Sequence, residues 1–295
     1  MSQIEKMFSE MNLEEKVIEN YTIDFYDKKS MKSLKEMYVT CKQLTIDAGG
    51  DELDYIVKFI KPHCDLENVK ELSFINGIVY DTTIPSFPNL NRLSLMRVNV
   101  GLDVDKIEFK HELVESIELH VVETISSCPT ISFKDCPELM ILRIYDCHPI
   151  DLKFANNNLQ ILSVDYAIHS PQPTINVEKC PLLEYLDLQN CSPTFGYLPK
   201  LKSLSLYNYC HNTIDYKLVV DCKLMPALKS FRYYGDDNGF DGDQLATVEL
   251  KSDNLTYMYV KNCILKRITE EERVANEPMV RSQRIKRQNR RYKPY

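Results

Sequence analysis

The sequence predicts a solenoid of the α/β class, in which short parallel strands stack into one curved sheet and helices and loops occupy the opposite side. Three observations lead there. An apolar spacing, L-x-x-L-x-L-x-x-N-x-L in its fullest form, recurs along most of the chain. Its centre is an apolar-x-apolar unit, and a strand sends both of those apolar side chains to one face. One such unit cannot bury that face by itself, whereas a stack of them shares a continuous core.

The copies run in order. CKQLTIDAG places Cys41, Leu44, Ile46 and Gly49 at the repeat positions, and VKELSFINGIV places Val69, Leu72, Phe74, Gly77 and Val79. Leu90, Leu93, Leu95, Val98 and Val100 follow, then Val114, Ile117, Leu119 and Val122. The next are Leu139, Leu142, Ile144 and Cys147, and Leu159, Leu162, Val164 and Ala167. Leu183, Leu186, Leu188 and Cys191 precede Leu201, Leu204, Leu206 and Tyr209. A weaker copy holds Leu228, Phe231 and Tyr233, and the last holds Leu255, Met258, Val260, Cys263 and Leu265.

This pattern resembles the leucine-rich-repeat family over roughly residues 41–268. The resemblance implies about nine or ten repeats, a parallel sheet on the concave face, and helices and loops on the convex face. The step between equivalent leucines is irregular, from 18 residues (Leu186 to Leu204) to 28 (Leu44 to Leu72). The Asn or Cys position is expected to turn the chain out of each strand and to bond neighbouring backbone; Cys147, Cys191 and Cys263 sit there. Cys136-Pro137 and Cys180-Pro181 fall at the turn into the next strand. The spacing of these five cysteines thus follows the repeat. No C-x-x-C occurs, so packed, reduced thiols are expected and no metal site. DELDYIVKFIK, Asp51 to Lys61, reads as an amphipathic convex-side helix with Leu53, Ile56, Val57 and Ile60 as its apolar face.

The ends differ from the middle. Ile4, Met7, Phe8, Met11, Val17 and Ile18 fall at roughly helical spacing, and a second helix is expected from Met31 to about Val39. Residues 1–40 therefore read as a helical N-terminal cap. MKSLKEMYVTCKQL also resembles the last helix of an F-box, ending at Val39, Thr40, Cys41 and Lys42, although Asn12-Leu13-Glu14 stands where that family opens with Leu-Pro. This second resemblance implies that residues 13–44 hold the adaptor of a cullin ubiquitin ligase. Residues 269–295 read as a basic tail, disordered in expectation. Residues 281–295 carry seven Arg and Lys and no acid, so the remaining chain holds −14 of an overall −7. Such a tail suits nuclear import, a nucleic acid, or the acidic body itself.

Composition excludes several function classes. Only 8 glycines are present, and no phosphate-loop, dinucleotide, H-E-x-x-H or G-x-S-x-G motif occurs. No catalytic residue, cofactor or metal is therefore expected. The acidic glycine-bearing run from Gly235 to Asp243 lacks EF-hand spacing and reads as a loop. No basic-then-apolar start and no long apolar run appear, which points to cytoplasm or nucleus and to no membrane.

A partner is expected on the concave face. The positions between each pair of apolar residues run Thr45, Ser73, Ser94, Glu118, Arg143, Ser163, Asp187, Ser205, Arg232 and Tyr259. Those just after run Asp47, Ile75, Met96, His120, Tyr145, Asp165, Gln189, Tyr207, Tyr234 and Lys261. Tyr and Arg concentrate in the later copies, and both are enriched at energetic centres of interfaces. The candidate contacts are Arg143, Tyr145, Asp165, Asp187, Gln189, Tyr207, Arg232, Tyr234 and Tyr259. Their mixed charge suits a protein rather than a phosphate backbone. The reading is a protein-binding scaffold, with a ubiquitin-ligase substrate receptor and a nucleic-acid-associated protein acting through its tail as the alternatives.

Overall fold

In a computed structural model of the chain, every one of the ten apolar-x-apolar units is a strand, and an eleventh strand precedes them. Strands are numbered in chain order. The main sheet holds β1 (Glu14–Asp24), β2 (Met37–Asp47), β3 (Glu71–Ile75), β5 (Arg92–Met96), β8 (Ser116–His120), β10 (Ile141–Cys147), β12 (Ile161–Tyr166), β14 (Tyr185–Gln189), β16 (Ser203–Tyr207), β18 (Ser230–Tyr234) and β20 (Tyr257–Lys261). They pair in that order and all in parallel. The molecule is a parallel-strand β-solenoid. The structure describes residues 14–79, 84–100, 106–120, 130–147, 151–153, 158–166, 174–207, 217–221, 223–235, 247–251, 255–261 and 263–267.

Alternation within each strand explains the core. In the first nine units, Leu44/Ile46 through Phe231/Tyr233, no apolar partner is more than 4% exposed. The leading residue of each copy, from Val69 to Leu228, is buried beside them. Between strands the chain turns at a second buried residue three places earlier. Phe87, Cys136, Cys180, Leu198 and Met225 each accept a bond at the carbonyl from the leading residue's N–H, at 3.1–3.2 Å. Cys136 and Cys180 were legible at this corner, whereas Phe87, Leu198 and Met225 carry no shared chemistry beyond being apolar. His111 fills the same place before Val114: its Nε2 lies 2.8 Å from the Phe87 carbonyl, and its Nδ1 accepts from the Leu113 N–H at 3.2 Å.

The exit from the strand corrects one expectation. The left-handed residue is Asn76, Arg97, Asp146 or Asn190, directly before the position read as Asn or Cys. Asn190, not Cys191, bonds neighbouring backbone: its Nδ2 donates to the Tyr166 carbonyl at 2.7 Å and its N–H to the Tyr207 carbonyl at 2.9 Å. A carboxamide tolerates the left-handed region and donates well, while a thiol does neither. Cys191 is buried, and its thiol is hydrogen-bonded to the backbone of Gln189 in its own strand and not to a neighbouring one.

The opposite side is also corrected. Among the described residues it is built chiefly of short strands rather than helices. β4 (Ile78–Val79) pairs with β6 (Asn99–Val100), and β13 (Thr174–Asn176) with β15 (Ser192–Thr194). β7 (Lys106–Lys110), β9 (Thr130–Asp135) and β11 (Asp151–Lys153) form one three-stranded sheet. β17 (Lys217–Asp221), β19 (Thr247–Lys251) and β21 (Ile264–Arg267) form another. KIEFK, TISFKD and TVELK alternate with period two and are rich in β-branched and aromatic residues. Phe109 and Phe133 stack at 5.3 Å beneath them. The 28-residue step, the longest, accommodates the helix α2 (Leu53–Ile60), with Leu53, Ile56, Val57 and Ile60 buried as expected.

The N-terminal expectation fails in a specific way. Val17 and Ile18 lie in β1, and the helix α1 spans Lys28–Lys35, capped by Asp27, instead of Met31 to Val39. The segment Val39–Lys42, read as the end of an F-box helix, is part of β2. β1 is another copy of the repeat: Ile18, Tyr21 and Ile23 stand in register with Cys41, Leu44 and Ile46. Tyr21 in the leucine place hid it. Ile4, Met7, Phe8, Met11, Val122, Ala167, Tyr209, the loop after Gly235 and the tail from 268 lie outside the described residues.

Candidate protein-binding face

Parallel register converts the repeat into rows. Residues opposite one another on adjacent strands sit about 4.8 Å apart. The middle row is Thr22, Thr45, Ser73, Ser94, Glu118, Arg143, Ser163, Asp187, Ser205, Arg232 and Tyr259. The row after it ends in His120, Tyr145, Asp165, Gln189, Tyr207, Tyr234 and Lys261. All nine candidate residues therefore lie on one face of the main sheet, the face turned away from the core.

Their neighbours group them into three clusters. At the C-terminal end, the Tyr207 and Tyr234 rings approach to 6.3 Å. Lys261 places its Nζ 4.7 Å from the Tyr234 ring centre and donates to the Tyr234 hydroxyl at 2.9 Å. Arg232 lies over the Tyr257 ring at 5.1 Å. Stacked cations of this kind keep their charge while covering an aromatic face. Tyr185, Tyr257 and Tyr259 remain each nearly half exposed.

The second cluster is acidic. Asp165 is pushed up to about 6, first by burial between its neighbours and then by the charges of Asp146 and Asp187. Asp187 is also raised by burial, with Arg232 pulling the other way. Ser205, small and buried, stands between Asp187 and Arg232 in the row, which leaves the two charges in view of each other. The third cluster is His120, whose Nε2 meets Glu118 Oε1 at 2.9 Å and whose ring lies 4.7 Å from that of Tyr145. Arg143 stands in the row between Glu118 and Ser163, and Gln189 between Asp165 and Tyr207.

Sequence reasoning passed over Tyr185, Tyr257 and Asp146. The tyrosines occupy a third outward row, the position just before each apolar pair, which strand alternation places on the same face. The third row also contributes Glu71 and Arg92 to a groove of about 250 Å³, floored by Thr45, Ser73 and Ser94 and closed by Glu118. Small hydroxyl side chains in the early copies thus leave a trough, and large rings in the later copies fill theirs. A second cleft, of about 490 Å³, is lined by Pro88, Lys110, His111, Glu112 and Asp135. None of these belongs to the rows.

Among the described residues, Cys41, Cys64, Cys136, Cys180 and Cys191 are buried in the core rather than placed on the face. Cys136 and Cys180 are pushed up to about 11 by burial, and Cys136 Sγ donates to the Phe109 carbonyl at 3.4 Å. Among the described residues no helix is long and apolar enough to cross a membrane. No protein-family model, no curated protein and no solved structure matches the chain.

Proposed function

We propose that the chain is a protein-recognition scaffold of leucine-rich-repeat type that grips its partner on the outward face of the main sheet, centred on the last four strands of that sheet. The observation that carries this reading is the convergence of Tyr207, Tyr234, Tyr257, Tyr259, Arg232 and Lys261 on one rigid face, with two cations stacked on rings. Tyr and Arg bury much area with few rotatable bonds and keep a polar end, so they dominate interface energetics. A parallel sheet holds them in fixed rows, so little ordering is needed on binding. Asp165 and Asp187, with Arg232 and Lys261 farther along the same rows, make a face of both signs, which selects a partner by charge pattern.

The test is paired affinity purification with quantitative mass spectrometry. The Arg232→Ala/Tyr234→Ala protein is compared with its parent and with Thr45→Ala/Ser73→Ala at the other end of the face. The reading expects the C-terminal pair to deplete a discrete set of partners by about tenfold or more, because such anchors are worth roughly 2 kcal/mol or more each. The N-terminal pair should leave the set unchanged. Equal recovery with both variants, at unchanged melting temperature, rejects it.

A further inference from the structure

We infer that the early copies of the main-sheet face form a binding site for a neutral saccharide. The site is independent of the protein-binding reading for the last four strands. The trough of about 250 Å³ spans β2, β3, β5 and β8. Parallel register makes its lining a two-row array. Gln43, Glu71, Arg92 and Ser116 form one row, and Thr45, Ser73, Ser94 and Glu118 the other. Neighbours along a row stand about 4.8 Å apart, and the two rows about 6.7 Å. Every side chain in the array bears a hydrogen-bonding group, and all but Arg92 are half-buried. The hydroxyls of Thr45, Ser73, Ser94 and Ser116 and the carboxamide of Gln43 have no hydrogen-bond partner among the described residues. A concave surface lined by so many uncommitted donors and acceptors holds water until a ligand with matching groups replaces it.

The chemistry of the array selects the occupant. Its charged groups are already engaged: Arg92 lies 3.6 Å from Glu71, and His120 lies 2.9 Å from Glu118. A nucleic acid needs uncommitted cations, and Arg92 is the one Lys or Arg in the array. A protein partner is held through aromatic and arginine anchors, and serine and threonine are under-represented among them. An apolar ligand would strip water from groups that it cannot bond. A sugar ring bonds them all. Its hydroxyls each donate once and accept twice, as Ser and Thr hydroxyls do, so either side takes either role. The Gln43 carboxamide and the Glu71 carboxylate each have two polar atoms and reach two neighbouring hydroxyls at once. Ile75 and Met96, next along β3 and β5, border the array with an apolar strip for the C–H face of the ring. Pockets for drug-sized ligands span about 300–1,000 Å³, so this smaller trough takes a short stretch of a sugar chain.

The experiment uses the full chain and saturation-transfer NMR, which reads weak binding of small probes. The probes are neutral tetrasaccharides of glucose, mannose, galactose and N-acetylglucosamine in α and β linkage, a sulfated glucose tetramer, and tetra-arginine. At least one neutral tetrasaccharide should receive saturation and titrate. Ser73→Tyr should weaken it at least about tenfold by filling the trough. That substitution suits the strand, since Arg232 and Tyr259 occupy the same row in later copies. Gln43→Ala should weaken it about two- to tenfold, the worth of one or two hydrogen bonds. Tyr197→Ala, exposed and outside the trough, should leave it unchanged. Melting temperatures confirm that the variants fold. The proposal is overturned if no neutral tetrasaccharide in the panel binds, if the sulfated or the arginine probe binds in preference, or if binding survives both Ser73→Tyr and Gln43→Ala.

Discussion

Asn190 does two jobs that few residues combine. It adopts the left-handed conformation, φ 57°, and its buried carboxamide bonds the Tyr166 carbonyl in the preceding turn. Asn190→Ala leaves that carbonyl without its donor and places a Cβ-constrained residue in a strained region, so a loss of about 2–3 kcal/mol is expected by urea unfolding. Arg97 holds the equivalent position at φ 52°. Arg97→Asn should therefore stabilise by about 0.5–1 kcal/mol in the same assay, because Asn visits this conformation at lower cost. Asp165 makes a pH-dependent prediction. It is harder to ionise in the fold than in the unfolded chain, being pushed up to about 6 by burial and then by Asp146 and Asp187. Its contribution is fully present below the ordinary carboxylate range and is lost as pH rises through about 6. Asp165→Asn should gain about 1–2 kcal/mol at about pH 7, discounted for the open face, and should match the parent near pH 4. A variant less stable than the parent at the higher pH would contradict the assigned cause.

At the scale of elements, the ten apolar-x-apolar strands were legible because period-two burial is a local rule, satisfied within five residues. Apart from Cys136 and Cys180, the corners were not, since Phe87, His111, Leu198 and Met225 share a place and not a side-chain type. The side opposite the main sheet was read as helical from the resemblance. Its local alternation, as in KIEFK and TISFKD, favours strands, and short steps leave little length for helices. β1 escaped because Tyr21 replaces leucine and because Val17, 73% exposed, breaks the apolar alternation. Its membership of the stack makes a prediction. Ile23→Ala, at a fully buried position, should cost about 2–4 kcal/mol, while Val17→Ala in the same strand should cost almost nothing. Thermal melts followed by circular dichroism separate the two. Equal, negligible effects would mean that β1 does not share the core.

For the molecule as a whole, consecutive parallel strands mean that each turn contacts its neighbours and little else, so surfaces at the two ends act separately. The nine candidate side chains could be placed on one face from sequence because register follows from the repeat. Which of them stack was not legible, since Arg232 over Tyr257 and Lys261 over Tyr234 depend on side-chain reach across strands. The edge-on packing of Phe25 against Tyr55 and Phe59 of α2 was hidden for a related reason: it joins residues thirty and more places apart in sequence. The measurement that bears most directly on the central claim is a photo-crosslinking scan along the outward rows, with a photoreactive side chain installed in turn at Thr22, Thr45, Ser73, Glu118, Ser163, Tyr185, Tyr207, Tyr234 and Tyr259. The account predicts one set of captured proteins, peaking from Tyr185 to Tyr259 and absent at Thr22 and Thr45. Capture that is uniform along the row, or that peaks over the trough at Thr45 and Ser73, would contradict it.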